Sequence, residues 1–191
     1  MKKDLKLVFT SWGFIAPWAN TPFDKGRPRS FDSRQETIEE KKLFSGSWKY
    51  KRCLITASGF FEKKYRIRKE NYKTFLLGGI WSKWTSLIGA ELEICSVLTT
   101  KPNSLVKLLH HRMPVVVPND YEKLCTEQFK DTDQSKGLLP IIMGWSPDRW
   151  ILEEVNNGFS NQMTLLWMKS FSTINDWLML LILFSNSNDF K

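Results

Sequence analysis

The chain has 191 residues, of which 42% are hydrophobic and 14% aromatic, and it carries a formal net charge of +8 with an isoelectric point of about 9.4. That much apolar material excludes a disordered chain and is enough for one domain with a sizeable core, while the basic balance directs attention to polyanions, nucleic acid first and an anionic membrane surface second. Cys53, Cys95 and Cys125 are few, odd in number and widely spaced, with no CxxC and no Cys/His cluster, which suggests neither a disulfide framework nor a zinc site. No metal or other cofactor is therefore expected, and a reducing cytosol is the expected compartment.

In chain order, Met1 to Leu5 lacks the apolar core of a signal peptide. Leu5 to Trp12 reads as a strand on its alternation of Leu5, Leu7 and Phe9, broken at Ala16-Pro17-Trp18, and Thr21 to Ser30 is a loop rich in proline and basic residues. Glu36 to Phe44 predicts a short helix, with Thr37 as cap and Glu40 three residues on. Arg52 to Phe61 predicts a strand with a turn or bulge at Gly59. Lys64 to Arg68 and Tyr72 to Leu77 flank Lys69-Glu70-Asn71 as a hairpin. Leu92 to Thr99 is a further strand, and Pro102 to Leu109 a helix with Leu105, Leu108 and Leu109 on one face. Met113 to Val117 is a β-branched strand stopped by Pro118, and Asp120 to Phe129 an amphipathic helix. Beyond Thr132 the pattern weakens. Trp177 to Phe184 is an unbroken apolar run too short for a membrane span of about 20 residues, hence a buried helix or strand. Many short strands with few helices predict a mainly antiparallel α+β domain.

Four islands hold the residues with chemistry to offer: Trp12-Gly13-Phe14-Ile15-Ala16-Pro17-Trp18, then Phe31 to Thr37, then Arg52 to Glu62, then His110 to Val117. Two tryptophans around a proline form a rigid wedge that either packs in a core or stacks on nucleobases. Arg34 and Arg112 sit among apolar or small neighbours, to be paired with an internal carboxylate, aimed at a phosphate, or solvated. Glu62 follows two phenylalanines, a setting that raises a carboxyl pKa and suits an acid or base, unless it simply ends an exposed strand. His110 and His111 are the only histidines, and either is able to exchange a proton near neutrality.

In order and spacing, WGFIAPW, DSRQET, KRCLITASGFFEK and HHRMPVVV resemble the SRAP family of SOS-response-associated peptidases, whose patterns run close to WGLIPxW, NARxET, RRCLVPADGFYEW and HxRMPVIL. Gly79 to Trp84 is similar to the family's AGLWExW strand and Thr99-Thr100 to its ITTxAN. The resemblance spans roughly residues 5–120 and implies an open barrel or sheet with a few peripheral helices. It also implies a protein that binds abasic sites in single-stranded DNA, whose N-terminal cysteine condenses with the ring-opened sugar aldehyde into a thiazolidine crosslink, with self-processing peptidase activity. On the matching positions, Glu62 and His110 are the implied proton-transfer residues, Asp32 stands where the family has an asparagine that orients the sugar, Arg34 and Arg112 hold phosphates, and Trp12, Pro17 and Trp18 stack on flanking bases. The implied partner is single-stranded DNA with abasic sites, with no membrane association; the implied state is a monomer near the nucleoid.

Several positions depart from the family. Lys2 stands where the family's nucleophilic cysteine follows Met1, and only eleven residues precede Trp12, fewer than in the family. The chain is therefore expected to comprise a family domain over residues 1–157 lacking its N-terminal segment, and a divergent tail over 158–191. An ionised Asp32 accepts hydrogen bonds but does not donate them as an asparagine does. The expected alternative to a crosslinking protein is a non-catalytic DNA-binding remnant.

Overall fold

The computed structural model describes residues 5–16, 18–21, 30–118, 144–155 and 179–185. Among them are strands β1 (Leu5–Trp12), β2 (Asp32–Arg34), β3 (Arg52–Ala57), β4 (Phe60–Glu62), β5 (Tyr65–Lys69), β6 (Phe75–Thr85), β7 (Glu91–Thr100), β8 (Met113–Pro114), β9 (Val116–Val117), β10 (Trp150–Glu154) and β11 (Met179–Ser185), the short helix α1 (Ser45–Tyr50), and 3-10 turns at Gln35–Thr37 and Val106–Leu108. This is the mainly-β α+β architecture that the strand-rich sequence predicts. No helix among the described residues is long and apolar enough to cross a membrane.

The pairings of the larger sheet run in a closed circuit, β7 to β1 to β11 to β3 to β6 and back to β7. Most are antiparallel, but β1 and β2 both lie parallel to β7, Trp12 opposite Cys95 and Asp32 opposite Val97. The apolar run near the C-terminus, which sequence periodicity left open between helix and strand, forms β11 between β1 and β3. A smaller antiparallel sheet orders β10, β5 and β4.

Side chains alternate across a strand, and here both faces are apolar. On β7, Cys95 and Val97 join one core while Ile94 and Leu98 join the other; on β3, Cys53 and Ile55 alternate with Leu54 in the same way. A sheet covered on both sides reads as a continuous apolar run rather than a clean alternation, which is what KRCLITA and LEICSVL show. Where the two faces crowd, the chain needs glycine. A Cβ on Gly79 would lie 2.7 Å from Ile55 Cδ1 and 3.1 Å from the Ser96 carbonyl. Buried Arg52 closes α1 from below: its guanidinium donates to the carbonyls of Trp48 (2.6 Å) and Lys49 (3.0 Å), filling acceptors that a helix C-terminus leaves open.

Several local expectations change in the fold. The strand from Arg52 to Phe61 divides at Ser58-Gly59 into β3 and β4, which belong to different sheets. The pivot is tight: a Cβ on Gly59 would sit 3.0 Å from Arg66 Nε and 3.1 Å from the Ile67 carbonyl. The Lys64–Leu77 hairpin does not form. β5 pairs with β4 and β10, whereas the chain after Tyr72 enters the larger sheet as β6. The hairpin turn lies instead at Lys63, whose φ of 54 is left-handed. The helix expected from Glu36 is a 3-10 turn followed by hydrogen-bonded turns, with α-helix only from Ser45. In the Pro102–Leu109 segment, a 3-10 turn replaces the expected helix; Leu105 and Leu109 of the expected face pack against the core beside buried Val106, while Leu108 is 75% exposed. The aromatic rings of Trp145, Trp150 and Phe75 fasten the small sheet to the large one, with centroids 4.1 Å and 4.7 Å apart. The expected helix Asp120–Phe129 lies outside the described residues.

Candidate functional site

Three chain reversals deliver side chains to one end of the larger sheet. β2 lies against the C-terminal half of β7 and presents Asp32 and Arg34 on the same face, two residues apart, with Ser33 buried between them. The Ser33 hydroxyl donates to the Val97 carbonyl (3.3 Å) and the Thr99 hydroxyl to the Ser33 carbonyl (3.4 Å). β4 leaves Ala57 and ends at Glu62, which is only 9% exposed. The segment after the Val106–Leu108 turn carries His110 to Glu62, with Nδ1 at 3.6 Å from Oε1. Arg112 then enters β8, paired with the end of β7.

The electrostatics follow from this crowding. Burial pushes the Glu62 carboxyl above its ordinary range; the Asp32 charge acts in the same sense, against His110 and Lys63. Asp32 keeps an exposed surface, yet enough protein surrounds it to displace bulk water, and its carboxyl is pushed up from 3.8 to about 6 although His110 and Arg112 pull the other way. Two carboxyls with raised pKa beside an imidazole form a cluster suited to proton transfer. The His110 Nδ1 lies 3.3 Å from the Arg112 backbone N–H and 3.1 Å from the Arg112 carbonyl. It accepts from the first or donates to the second, according to tautomer.

Arg112 is itself clasped. Its two terminal nitrogens donate to the two oxygens of Glu36, each at 2.8 Å, and Nη2 also donates to the Thr99 carbonyl (2.5 Å) and hydroxyl (3.3 Å). This fork-to-fork geometry is the strong form of an arginine–carboxylate pair, and it holds the Glu36 carboxyl below its ordinary range. Of the alternatives open for Arg112, the internal carboxylate is the partner present, while the second proton of Nη1 stays outside that clasp. Glu36, 76 positions away in the chain, carries no signal in single-sequence reasoning beyond its place in DSRQET.

Asp32, Glu62, His110 and Arg112 thus come together, with Arg34 on the same face of β2 as Asp32. Trp12 does not present a free ring: it is 8% exposed, packed in the core, its indole N–H donating to the Phe31 carbonyl at 2.8 Å. The neighbouring Phe31, edge-on to Trp12 at 5.3 Å and 44% exposed, offers the open aromatic surface. Trp18 is exposed but adjoins Ala19, whose carbonyl accepts from Trp84 at the end of β6 that faces Leu92. From Leu92 to Thr99 β7 spans roughly 23 Å, so Trp18 lies toward the opposite end of the sheet. Pro17 lies outside the described residues. Beside Glu62 and His110 opens a shallow depression of ≈ 740 Å³ whose walls include Lys63, Lys107, Leu108, His110 and His111. Its lysines were not legible as site residues, because a charge run along a basic chain carries no sign of where it lies.

The model of the family described as SOS response associated peptidase (SRAP) matches residues 1–157. The abasic site processing protein YoaM of Bacillus subtilis is 36% identical over 121 residues, covering 59% of this chain and 52% of that protein. The abasic site processing protein HMCES of Xenopus tropicalis is 26% identical over 142 residues, covering 60% and 42%. The chain spans about half the length of the curated relatives it matches. A crystal structure of a Bacteroides thetaiotaomicron protein shares the fold, with a TM-score of 0.69 at 24% identity over 78% of this chain and 68% of that one. A Bordetella bronchiseptica protein does so with a TM-score of 0.66 at 18% identity, covering 78% and 76%. With its four motifs in order and a family match that runs through all of them, this chain belongs to the SRAP family.

Proposed function

We propose that this chain is an abasic-site processing protein that takes a ring-opened deoxyribose of single-stranded DNA into the cleft between Asp32, Glu62 and His110. One observation carries the reading: three proton-exchanging groups, delivered by separate segments, meet at one spot ringed by cations. Lys63 and Arg112 act on their charges, and Arg34 shares the face of Asp32. Relatives named as abasic site processing proteins support it.

An abasic sugar has no base to read, so recognition falls to its phosphates and its aldehyde. Arg34, Lys63 and Lys107 supply phosphate contacts, Arg112 adds charge, and the exposed ring of Phe31 supplies a stacking surface for a flanking base, with Trp18 further along the strand's path. In the crosslinking reaction of the family, an α-amine adds to the sugar aldehyde and water leaves as the imine forms. A thiol then adds across the imine, its sulfur to carbon and its proton to nitrogen. Glu62, whose carboxyl burial pushes above its ordinary range, donates to the departing oxygen, and His110 takes the proton from the attacking nitrogen.

A second reading, non-covalent binding alone, is favoured by the state of the two cysteines among the described residues. Cys53 and Cys95 are sealed in the core, and burial, with the neighbouring Cys95, holds the Cys53 thiol well above its usual range. Neither serves as the nucleophile. Incubation with uracil-glycosylase-treated single-stranded DNA and a denaturing gel separates the two. A slower band that is lost in Glu62→Gln supports the crosslinking reading. No such band, with affinity for the abasic strand retained, selects the second. Equal affinity for damaged and undamaged strands overturns both.

A further inference from the structure

We propose that Glu36 is a positioning residue that fixes His110 through Arg112, so that the order of the proton-transfer site is set from outside the cleft; this rests on the reading of His110 just given. The contacts form one chain. Glu36 takes both terminal nitrogens of Arg112 at 2.8 Å, and Thr99 takes Nη2 through its carbonyl and hydroxyl. The guanidinium is thereby anchored to β7, the most heavily paired strand of the sheet, which bonds to β1, β2, β6 and β8. The backbone of the same Arg112 supplies both groups within hydrogen-bond reach of His110 Nδ1, at 3.1 Å and 3.3 Å. His110 in turn faces Glu62. A side chain held by two charged bonds and two further acceptors fixes its own peptide groups, and those groups choose the tautomer and tilt of the imidazole.

The charges around the clasp agree with this reading. Lys101 and Arg112 both bear on Glu36, and Arg112 and His110 both bear on Asp32. Without Glu36, the guanidinium would keep only Thr99 and swing toward the carboxyl of Asp32, dragging the Arg112 backbone from His110.

The full chain labelled with ¹⁵N-histidine tests the proposal, because it holds only two histidines and a His111→Gln variant assigns the pair. The ¹⁵N shifts of neutral His110 report its tautomer. The unsubstituted chain is expected to show one dominant tautomer, Glu36→Gln to keep it through the remaining hydrogen bond, and Glu36→Ala to lose it, with His111 unchanged in all three. The rate of crosslinking to the abasic strand at saturating DNA should fall about tenfold in Glu36→Ala, which corresponds to 1.4 kcal/mol, with its Kd little altered. A folded Glu36→Ala with the His110 tautomer intact overturns the proposal. If Glu36→Ala does not fold, Thr99→Val, which removes one anchor of the guanidinium, takes its place and must move the tautomer in the same direction. A tautomer that shifts with no consequence for the abasic strand supports the clasp and refutes the functional reading of the site, so the two fail separately.

Discussion

Replacing Asp32 with asparagine should stabilise this chain at neutral pH and leave it nearly unchanged in acid. The Asp32 carboxyl is pushed up from 3.8 to about 6, chiefly because surrounding protein displaces water. A folded-state pKa above the unfolded one means that the fold prefers the protonated group. The contribution to stability is therefore complete below about pH 4 and is lost as pH rises through about 6. Converted in full, a shift of this size is about 3 kcal/mol. Asp32 retains an exposed surface, so solvent screening reduces the effect to about 1 kcal/mol. In a chain of this size that raises Tm by about 2–4 °C. Thermal melts of both proteins at pH 4 and pH 7.5, followed by circular dichroism, read the effect directly. A gain confined to pH 7.5 is the expected result. An equal gain at both pH values, or a loss at pH 7.5, would refute the placement of this carboxyl in a desolvated cluster.

Gly79→Ala should destabilise the fold by about 2 kcal/mol, the usual cost of overpacking, because the added Cβ meets Ile55 and the fixed Ser96 carbonyl; denaturant melts check it, and an unchanged midpoint argues against the two-faced core. Arg34→Ala, Lys63→Ala and Lys107→Ala should each weaken binding to a short single strand and lower the slope of log K against log salt by about 0.7, the value for one released counterion on a single strand. Fluorescence anisotropy between low and moderate salt measures it, and an unaltered slope removes that residue from the phosphate path.

Much of the site was legible because its residues stand inside contiguous motifs. Glu62 ends a strand after two phenylalanines and His110 precedes RMPVVV, and both signals survive without coordinates. Their convergence was not legible from local pattern, since it depends on β4 leaving the main sheet at Gly59. Glu36 escaped for a related reason: an ion pair between residues 76 positions apart leaves no trace in one sequence. Trp12 was read by residue type, and type does not separate a stacking platform from a core ring whose N–H is satisfied by a backbone carbonyl. The false hairpin at Lys69-Glu70-Asn71 followed a sound turn signal. The backbone does turn there, but β5 finds better partners in β4 and β10, a tertiary choice that overrides local chemistry. β10 itself, with Trp150, Ile151 and Leu152 partly buried, lay in a stretch where the apolar pattern was too weak to predict a strand.

The central claim is that Asp32, Glu62 and His110 line a cleft shaped for a sugar without its base. Its most direct measurement is the ratio of dissociation constants for one fluorescent single strand with and without a single abasic site, at a fixed salt concentration. Preference for the abasic strand by about tenfold or more, equivalent to 1.4 kcal/mol, and its loss in His110→Ala, is the expected result. Equal affinity for the two strands in the unsubstituted chain would contradict the claim.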